Sequence, residues 1–285
     1  NEIVKFFDWG PFFNSWGLFG KFPQILEDEV VGKEAQELYE NAKIMLKKIL
    51  DGRWLTASGV VGFYPANTVN DEDIEVYTDE SRSEVLLTWR NLRSQGKKRP
   101  GIYNKCLADY IAPKDSGVAD YIGMFAVTGG LDIERHIARF EAEGDDYSSI
   151  MIKAIADRFA EGFAEALHHR VRTDLWGYVP TESLDSQELI DEKYQGVRPA
   201  PGYPACPEHT VKADMFKVLE PEKIGMQITE SYAMTPAAAV SGFYFAHPES
   251  HYFAVSKIGR DQLEDWAART GMEVDEAARW LAPLL

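Results

Sequence analysis

The segment YQGVRPAPGYPACPEHT, Tyr194–Thr210, is the most distinctive stretch of this chain. Its four prolines at positions 199, 201, 204 and 207 each fix the φ angle and bias the preceding residue toward extended geometry. We therefore predict a rigid, extended strip, called here the proline strip. The residues between the prolines keep both a backbone donor and an acceptor, so the strip can present fixed polar groups to a ligand.

Three residues of the proline strip point to a particular kind of ligand. Arg198, at its entrance, can hold a carboxylate through two parallel hydrogen bonds. Gly202 lets a flat group approach the backbone, and Tyr203 offers a ring on which that group can stack. This combination suits a zwitterion with a flat heterocycle, such as an amino acid joined to an adenosine. Proline-rich connections are more often structural, so the pattern alone leaves both interpretations open.

The composition narrows the range of partners. The chain has 285 residues, of which 45% are hydrophobic and 27% charged, as in a globular protein. Its 46 acidic and 30 basic residues give a net charge of −16, which argues against a nucleic-acid partner. No apolar run reaches the roughly 18 residues that a bilayer crossing needs, so we expect no membrane partner. Cys106 and Cys206 form no C-x-x-C pair, which predicts free thiols and a reducing, cytoplasmic location.

The apolar periodicity predicts an α+β fold. Helical spacing covers Lys33–Asp51, Asp146–Arg172, Ser186–Lys193, Val211–Leu219 and two short C-terminal helices, the first ending at Gly271. Strand patterns cover Gly59–Tyr64, Asp73–Tyr77, Tyr121–Thr128, Met226–Tyr232, Ala239–Ala246 and Tyr252–Lys257. The segment Glu84–Leu92 fits either type. Because helices and strands do not alternate regularly, we predict one large domain over residues 1–285, with a mainly antiparallel sheet flanked by helices.

Residues 1–26 are rich in aromatic side chains, and we predict that they pack onto the body of the domain. The chain contains no glycine-rich nucleotide motif, no P-loop, no H-E-x-x-H and no G-x-S-x-G. His247 and His251 lie four residues apart, but Pro248 separates them and no third ligand is evident, so we assign no metal site. No carboxylate pair stands out as an acid/base couple, and we assign no catalytic residue.

Five segments together resemble the S-adenosylmethionine-binding activation domain of cobalamin-dependent methionine synthase. They are DWGPFF at 8–13, FYPANTVNDEDIEVY at 63–77, ADYIGMFAVTGG at 119–130, the proline strip, and RWLAPLL at 279–285. The similarity runs from about Asp8 to Leu285, and R-P-A-P-G-Y-P-A-C-P is its most specific part. The resemblance implies a large α+β domain with a bent antiparallel sheet, the C-terminal module of a multidomain enzyme.

The resemblance also implies roles for individual residues. Arg198 would hold the carboxylate of S-adenosylmethionine and Asp8 its amino group. The remaining implied positions are Ala200, Gly202 and Tyr203 at the adenosine, Tyr252 and Phe253 lining the ligand, and Glu161 and Glu192 near the cobalamin-facing side. Simpler roles are open for several of them: a helix cap for Asp8, core packing for Tyr252 or Phe253, and a solvated helix face for the two glutamates.

In the family that the chain resembles, an electron from flavodoxin or another reductase and a methyl group from S-adenosylmethionine restore methylcobalamin from cob(II)alamin. The D-x-H-x-x-G motif of the cobalamin module and the zinc-binding cysteines of the homocysteine module do not occur here. We therefore expect that this chain alone neither carries cobalamin nor makes methionine. It begins at Asn1 rather than at a methionine, which fits either a piece of a full synthase or a chain that works beside separate subunits.

Two other functions stay open on the sequence. One is a non-catalytic module that docks a corrinoid protein or an electron carrier such as flavodoxin. The five basic residues of the run Arg90–Arg99 would then attract an acidic partner. The other is an independent methyltransferase acting on a small molecule, although no candidate base supports it.

Overall fold

An antiparallel sheet of five strands forms the centre of the structure, a computed structural model that describes residues 2–285. In chain order the strands are β1 (Thr56–Val69), β2 (Asp73–Tyr77), β3 (Val85–Arg90), β4 (Asp120–Leu131), β5 (Gln227–Ile228), β6 (Met234–Thr235) and β7 (Ala239–Tyr244). The central sheet has the order β3-β2-β1-β4-β7 with every neighbouring pair antiparallel, while β5 and β6 pair separately. The predicted α+β class with a mainly antiparallel sheet is confirmed.

Helices cover the sheet and connect its strands. The α-helices within residues 2–285 are α1 (Gly10–Ser15), α2 (Gly32–Gly52), α3 (Ile133–Ala142), α4 (Asp146–Arg170), α5 (Ser186–Ile190), α6 (Val211–Leu219), α7 (Arg260–Thr270) and α8 (Val274–Trp280). A π-helical turn, Val171–Leu175, continues α4. None of these helices combines the length and the apolarity that a bilayer crossing requires.

Strand β4 is buried on both faces, which explains its almost continuous apolar sequence. Met124 and Ala126 belong to the hydrophobic cluster that includes Phe216 of α6. Phe125, between them, belongs to a second cluster with Leu167 of α4. Because successive side chains of a strand point to opposite faces, α6 and α4 lie on opposite sides of the sheet. A strand buried in this way has no polar face and does not alternate.

The proline strip runs along the outer edge of β7. Val197 donates its N–H to the carbonyl of Phe245 (3.1 Å) and accepts the N–H of Phe245 in return (3.0 Å). The carbonyl of Pro199 then accepts the N–H of Phe243 (3.0 Å). A proline has no N–H, but its carbonyl can still serve as an acceptor at a sheet edge. The stiff backbone is therefore paired, and it ends the sheet at this side.

This pairing explains one of two wrong strand predictions. Tyr252–Lys257 contains no strand, because the proline strip already occupies the free edge of β7. The second error concerns Met226–Tyr232, of which only Gln227–Ile228 is a strand. A turn begins at Thr229, whose N–H bonds to the carbonyl of Ala233 (2.9 Å), and it interrupts the extended chain.

Most other predicted elements are present. Asp73–Tyr77 and Val211–Leu219 are found with the predicted bounds, and Gly271 ends α7 in the left-handed conformation (φ 72°). The ambiguous segment Glu84–Leu92 is strand β3, because β2 provides a pairing edge for it. The helix predicted at Ser186–Lys193 ends earlier, at Ile190. Helices α1 and α3 were not predicted.

The aromatic N-terminal segment packs against helices α2 and α4. Phe7, Trp9 and Phe13 are buried in one cluster with residues of α2 and α4. The ring of Phe7 meets that of Phe159 of α4 edge to face, with centroids 4.9 Å apart. Elsewhere in the domain, the two cysteine thiols are free, as predicted, and both are buried.

Candidate functional site

A cavity of about 400 Å³ lies between the N-terminal segment, helix α4 and the start of the proline strip. This size is typical of sites for small molecules. Its charged lining residues are Lys5, Asp8, Arg158, Glu161, Glu165, Glu192 and Arg198, and its other lining residues are Phe6, Phe7, Pro11, Ser186, Leu189, Ile190 and Tyr203. Four carboxylates and three cations thus share one cavity. Such a lining suits a ligand that itself carries charges of both signs.

Arg198 lies in the wall of this cavity with only 19% of its side chain exposed. Its Nη2 is 2.7 Å from Oε2 of Glu165, and its Nη1 donates to the hydroxyl of Tyr194 (2.8 Å) and to Nδ1 of His168 (3.2 Å). Nε of Arg198 has no acceptor within residues 2–285. Burial is the largest single effect and opposes the charged form, but Glu165 and the surrounding tyrosines together outweigh it and raise the pKa of Arg198. The residue is therefore a cation whose two Nη groups are paired and whose Nε is not.

Asp8 lines the same cavity from the N-terminal segment. Its Oδ1 accepts the N–H of Gly10 (2.8 Å), which supports the start of α1, although the N-cap of that helix is Trp9 and not Asp8. Oδ2 makes no hydrogen bond within residues 2–285. The carbonyl of Asp8 accepts a long hydrogen bond from Arg158 of α4 (3.5 Å), which ties this segment to the helix. The contact with Gly10 leaves Oδ2 unpaired, so it is compatible with ligand binding through that second oxygen.

The prediction that the whole proline strip is extended is wrong, because the predicted adenosine-contact residues form a tight turn. Tyr203 donates its N–H to the carbonyl of Ala200 (3.2 Å), and Gly202 donates to the carbonyl of Cys206 (2.7 Å). The Ala200 N–H and the Gly202 carbonyl have no partner within residues 2–285, but of these three residues only Tyr203 lines the cavity. The Tyr203 side chain is 58% exposed at the cavity rim. Gly202 is required for a reason that the sequence did not reveal: its φ is +96°, and a Cβ there would lie 2.1 Å from the ring of His209.

The other predicted residues fall into two groups. Tyr252 and Phe253 do not line this cavity. Tyr252 lies behind the strip, where its hydroxyl accepts the N–H of Arg198 (3.0 Å), and Phe253 packs against the hydrophobic core. Glu161 and Glu192, expected on a cobalamin-facing side, lie in the cavity wall with Asp8 and Arg198.

Several residues of the cavity were missed by the sequence reasoning, above all Glu165. It lies one helical turn beyond Glu161 on α4, and His168 and Arg172 continue the same line at spacings of three and four. Glu165, His168 and Arg172 are all buried. Polar residues at helical spacing beside the apolar stripe are the signal that would have found this line.

The basic run Arg90–Arg99 is partly used within the fold. The Arg90 guanidinium donates to the carbonyl of Thr88, and Arg93 is paired with Asp109 (2.9 Å). The exposed cations of the run are those at 97–99. Residues 2–285 contain no cluster of three or more His, Cys, Asp or Glu side chains suited to a metal ion.

The fold and the site define an α+β domain with a charged small-molecule cavity beside the edge of its antiparallel sheet. Residues 1–271 match the family model described as vitamin B12 dependent methionine synthase, activation domain, and the chain belongs to this family. A crystal structure of the MetH reactivation domain bound to AdoHcy, S-adenosylhomocysteine, is similar to it with a TM-score of 0.94 and 57% identity. The match covers 99% of this chain and 87% of that one. The resemblance found in the sequence is confirmed.

Proposed function

We propose that this chain binds S-adenosylmethionine in the cavity beside Arg198 and presents its methyl group for the reductive methylation of cob(II)alamin. This step would reactivate cobalamin-dependent methionine synthase. The observation that carries the proposal is the unpaired Nε edge of Arg198 in the same cavity wall as Asp8. The AdoHcy found in the related reactivation domain supports it.

The charges of the cavity match those of the ligand. Arg198 would hold the carboxylate of the methionine part, and Oδ2 of Asp8 its ammonium group. The Ala200 N–H, the Gly202 carbonyl and the Tyr203 ring would contact the adenosine. Tyr252 would act from behind the strip, by fixing the backbone of Arg198, and Phe253 would support it through packing. The carboxylates of the wall also favour a ligand that carries a sulfonium charge.

The protein would contribute binding and orientation rather than acid/base chemistry. The methyl group of a sulfonium is already electrophilic, and cobalamin, on a separate module, supplies the nucleophile when it is bound. No proton needs to be removed, so no general base is required. The residues of this chain would hold the methyl group in line and keep water away. Glu161 and Glu192 would lie on the side that faces the cobalamin module.

We also propose that a reductase such as flavodoxin is a partner, with the cytoplasm as the location. The exposed cations at 97–99 and the neighbouring Tyr103, which is 81% exposed, favour docking of an acidic electron carrier. A pull-down with flavodoxin, with and without S-adenosylmethionine, would test this partner. It would also separate a pure docking module from a ligand-binding domain.

Calorimetric titration of S-adenosylmethionine and AdoHcy into the purified chain tests the site. We expect Arg198→Ala to weaken binding by about 2–3 kcal/mol, because it removes a charge-assisted pair in a partly buried position. Arg170→Ala is the matched control, since Arg170 is exposed and pairs only with Asp174 within residues 2–285. Equal affinities for the wild type and Arg198→Ala would contradict the proposed role of Arg198.

A further inference from the structure

A buried cluster of charged and polar residues lies behind the cavity. Arg172 is fully buried and donates from Nε and Nη2 to the two carboxylate oxygens of Glu182, at 2.7 Å each. This closed pair neutralises Arg172 without using Glu165, whose nearest approach to Arg172 is 3.9 Å. Glu165 is therefore left for Arg198, and the contact between these two is 2.7 Å.

His168 completes the surroundings of Arg198. An arginine can only donate, so Nδ1 of His168, 3.2 Å from Nη1 of Arg198, must carry a lone pair and accept. His168 is consequently neutral, and its burial between two guanidinium groups lowers its pKa further below the usual range. Its ring stacks on Tyr244 (centroids 5.0 Å, 19°) and meets Tyr194 edge to face (5.0 Å, 77°), which fixes the direction of Nδ1.

Glu165 and His168 both come from one turn of α4, where residues three apart lie on the same face. They meet the guanidinium from the helix side, while the Tyr252 hydroxyl holds the backbone N–H of Arg198 from the other side. We propose that Glu165 and His168 are positioning residues, which hold Nη2 and Nη1 of Arg198 so that its Nε edge faces the carboxylate of the ligand. This inference rests on the proposed function.

The physical reason is the entropy of a long side chain. A free arginine samples many rotamers, and a ligand that binds it must pay for their loss. The acceptors on α4 restrict the guanidinium before the ligand arrives. Removing either one should therefore reduce only the part of the affinity that comes from the carboxylate.

The test compares a ligand that has a carboxylate with one that has none. S-adenosylhomocysteine carries the carboxylate, whereas 5′-methylthioadenosine lacks the whole amino-acid end. We expect His168→Phe, which keeps a ring beside Tyr244, and Glu165→Asp, which withdraws the carboxylate by one methylene, to weaken S-adenosylhomocysteine about tenfold. Binding of 5′-methylthioadenosine should change less than twofold. His168→Gln, which restores an acceptor, should recover most of the loss.

His136→Phe is the matched control. His136 is also buried, stacks on an aromatic ring, that of Trp54 (4.6 Å), and accepts from an arginine, Arg135 (3.1 Å), but it does not line the cavity. The inference would be overturned if His168→Phe and Glu165→Asp weakened the binding of both ligands equally. It would also be overturned if these variants weakened the binding of neither ligand. Crystal structures of these variants in which the guanidinium keeps its wild-type position despite tenfold weaker binding would overturn it as well.

Failure of the proposed function would look different. In that case the wild-type chain itself would bind neither S-adenosylmethionine nor S-adenosylhomocysteine. If the wild type binds and Arg198→Ala loses the carboxylate-dependent affinity, the proposed function stands whatever the two positioning variants show.

Discussion

At the scale of single residues, Arg198 is held at both ends. The Tyr252 hydroxyl fixes its backbone N–H, and Glu165, His168 and Tyr194 surround its guanidinium. A cation held in this way favours a ligand that places an anionic group at one position.

Gly202 is a residue whose replacement should unfold the proline strip locally. We expect Gly202→Ala to reduce the free energy of unfolding by about 2–4 kcal/mol, because it combines a left-handed φ with a clash against His209. Gly117→Ala is the control: its φ is +70°, but nothing lies within 4 Å of the added Cβ, so it should cost only about 1 kcal/mol. Urea unfolding of both variants would measure the difference, and equal losses would show that the contact with His209 is unimportant.

His168 should make stability depend on pH. The pKa of His168 is lowered in the folded state. Below the pKa of about 6.5 that histidine has in the unfolded chain, the unfolded chain therefore binds a proton that the folded chain does not. The free energy of unfolding consequently falls as the pH falls. The loss approaches about 1.4 kcal/mol per pH unit. Between pH 7.5 and 5.5 we expect the wild type to lose about 1 kcal/mol more than His168→Phe in urea unfolding. The exposed control His247→Phe should follow the wild type, and parallel curves for His168→Phe and the wild type would refute this linkage.

At the scale of elements, α4 connects the sheet, the N-terminal segment and the cavity. Where it crosses β4, a Cβ at Gly129 would lie 2.5 Å from Phe159, so the two backbones approach closely. Where it meets the N-terminal segment, a Cβ at Gly162 would lie 3.0 Å from Phe7 and 3.1 Å from the carbonyl of Ile3. The same helix contributes Arg158, Glu161 and Glu165 to the cavity.

Gly162→Val should therefore disturb the cavity without touching a ligand. The larger side chain would push the N-terminal segment away from α4 and move Asp8, because Phe7 lies directly before it. We expect a loss of about 1–3 kcal/mol in the free energy of unfolding and several-fold weaker binding of AdoHcy. Because valine has a higher helix propensity than the glycine that it replaces, such a loss could not come from the helix itself. Wild-type affinity in Gly162→Val would show that this contact does not position Asp8.

At the scale of the whole molecule, the cavity is assembled from segments that are far apart in the chain: residues 5–11, 158–165 and 186–203. At the opposite sheet edge, the C-terminal helices are tied down through Arg269 of α7. This residue pairs with Asp73, with Glu72 (3.2 Å) and with Asp265 (2.8 Å). It also donates to the carbonyl of Asn91 (3.1 Å).

Arg269→Ala should loosen the C-terminal helices. Asp73 is 4% exposed and would lose its main counter-charge, so we expect the free energy of unfolding to fall by about 2–4 kcal/mol. Arg260→Ala, which breaks an exposed pair with Glu264 on the same helix, should cost less than about 0.5 kcal/mol. Thermal and urea unfolding would measure both. Because this cluster is remote from the cavity, AdoHcy affinity should stay unchanged. A loss of AdoHcy affinity in Arg269→Ala would show that the cavity depends on the Arg269 cluster at the opposite edge of the sheet.

Elements that depend on local interactions were predicted well, whereas those that depend on contacts between distant segments were not. Helix α6 and strand β2 were predicted with the bounds they have, because their apolar pattern is local. The strand expected at Tyr252–Lys257 failed because its pattern could not show that the proline strip already holds the edge of β7. The resemblance to the family predicted Arg198 and Asp8 as candidate site residues, and both line the same cavity. The polar line on α4 could have located Glu165, but not its pairing with Arg198, because that partner lies 33 residues further along the chain.

By itself, the sequence determined the α+β class, the fixed φ angles of the prolines in the strip and the family to which the chain belongs. These depend on local periodicity, on the fixed φ of proline and on a specific run of residues. Only the tertiary structure decided that the strip covers a sheet edge, that one cavity gathers Asp8, Glu161, Glu192 and Arg198, and that α4 supplies acceptors to the guanidinium. Such contacts join residues that are distant in the chain, and packing in three dimensions brings them together.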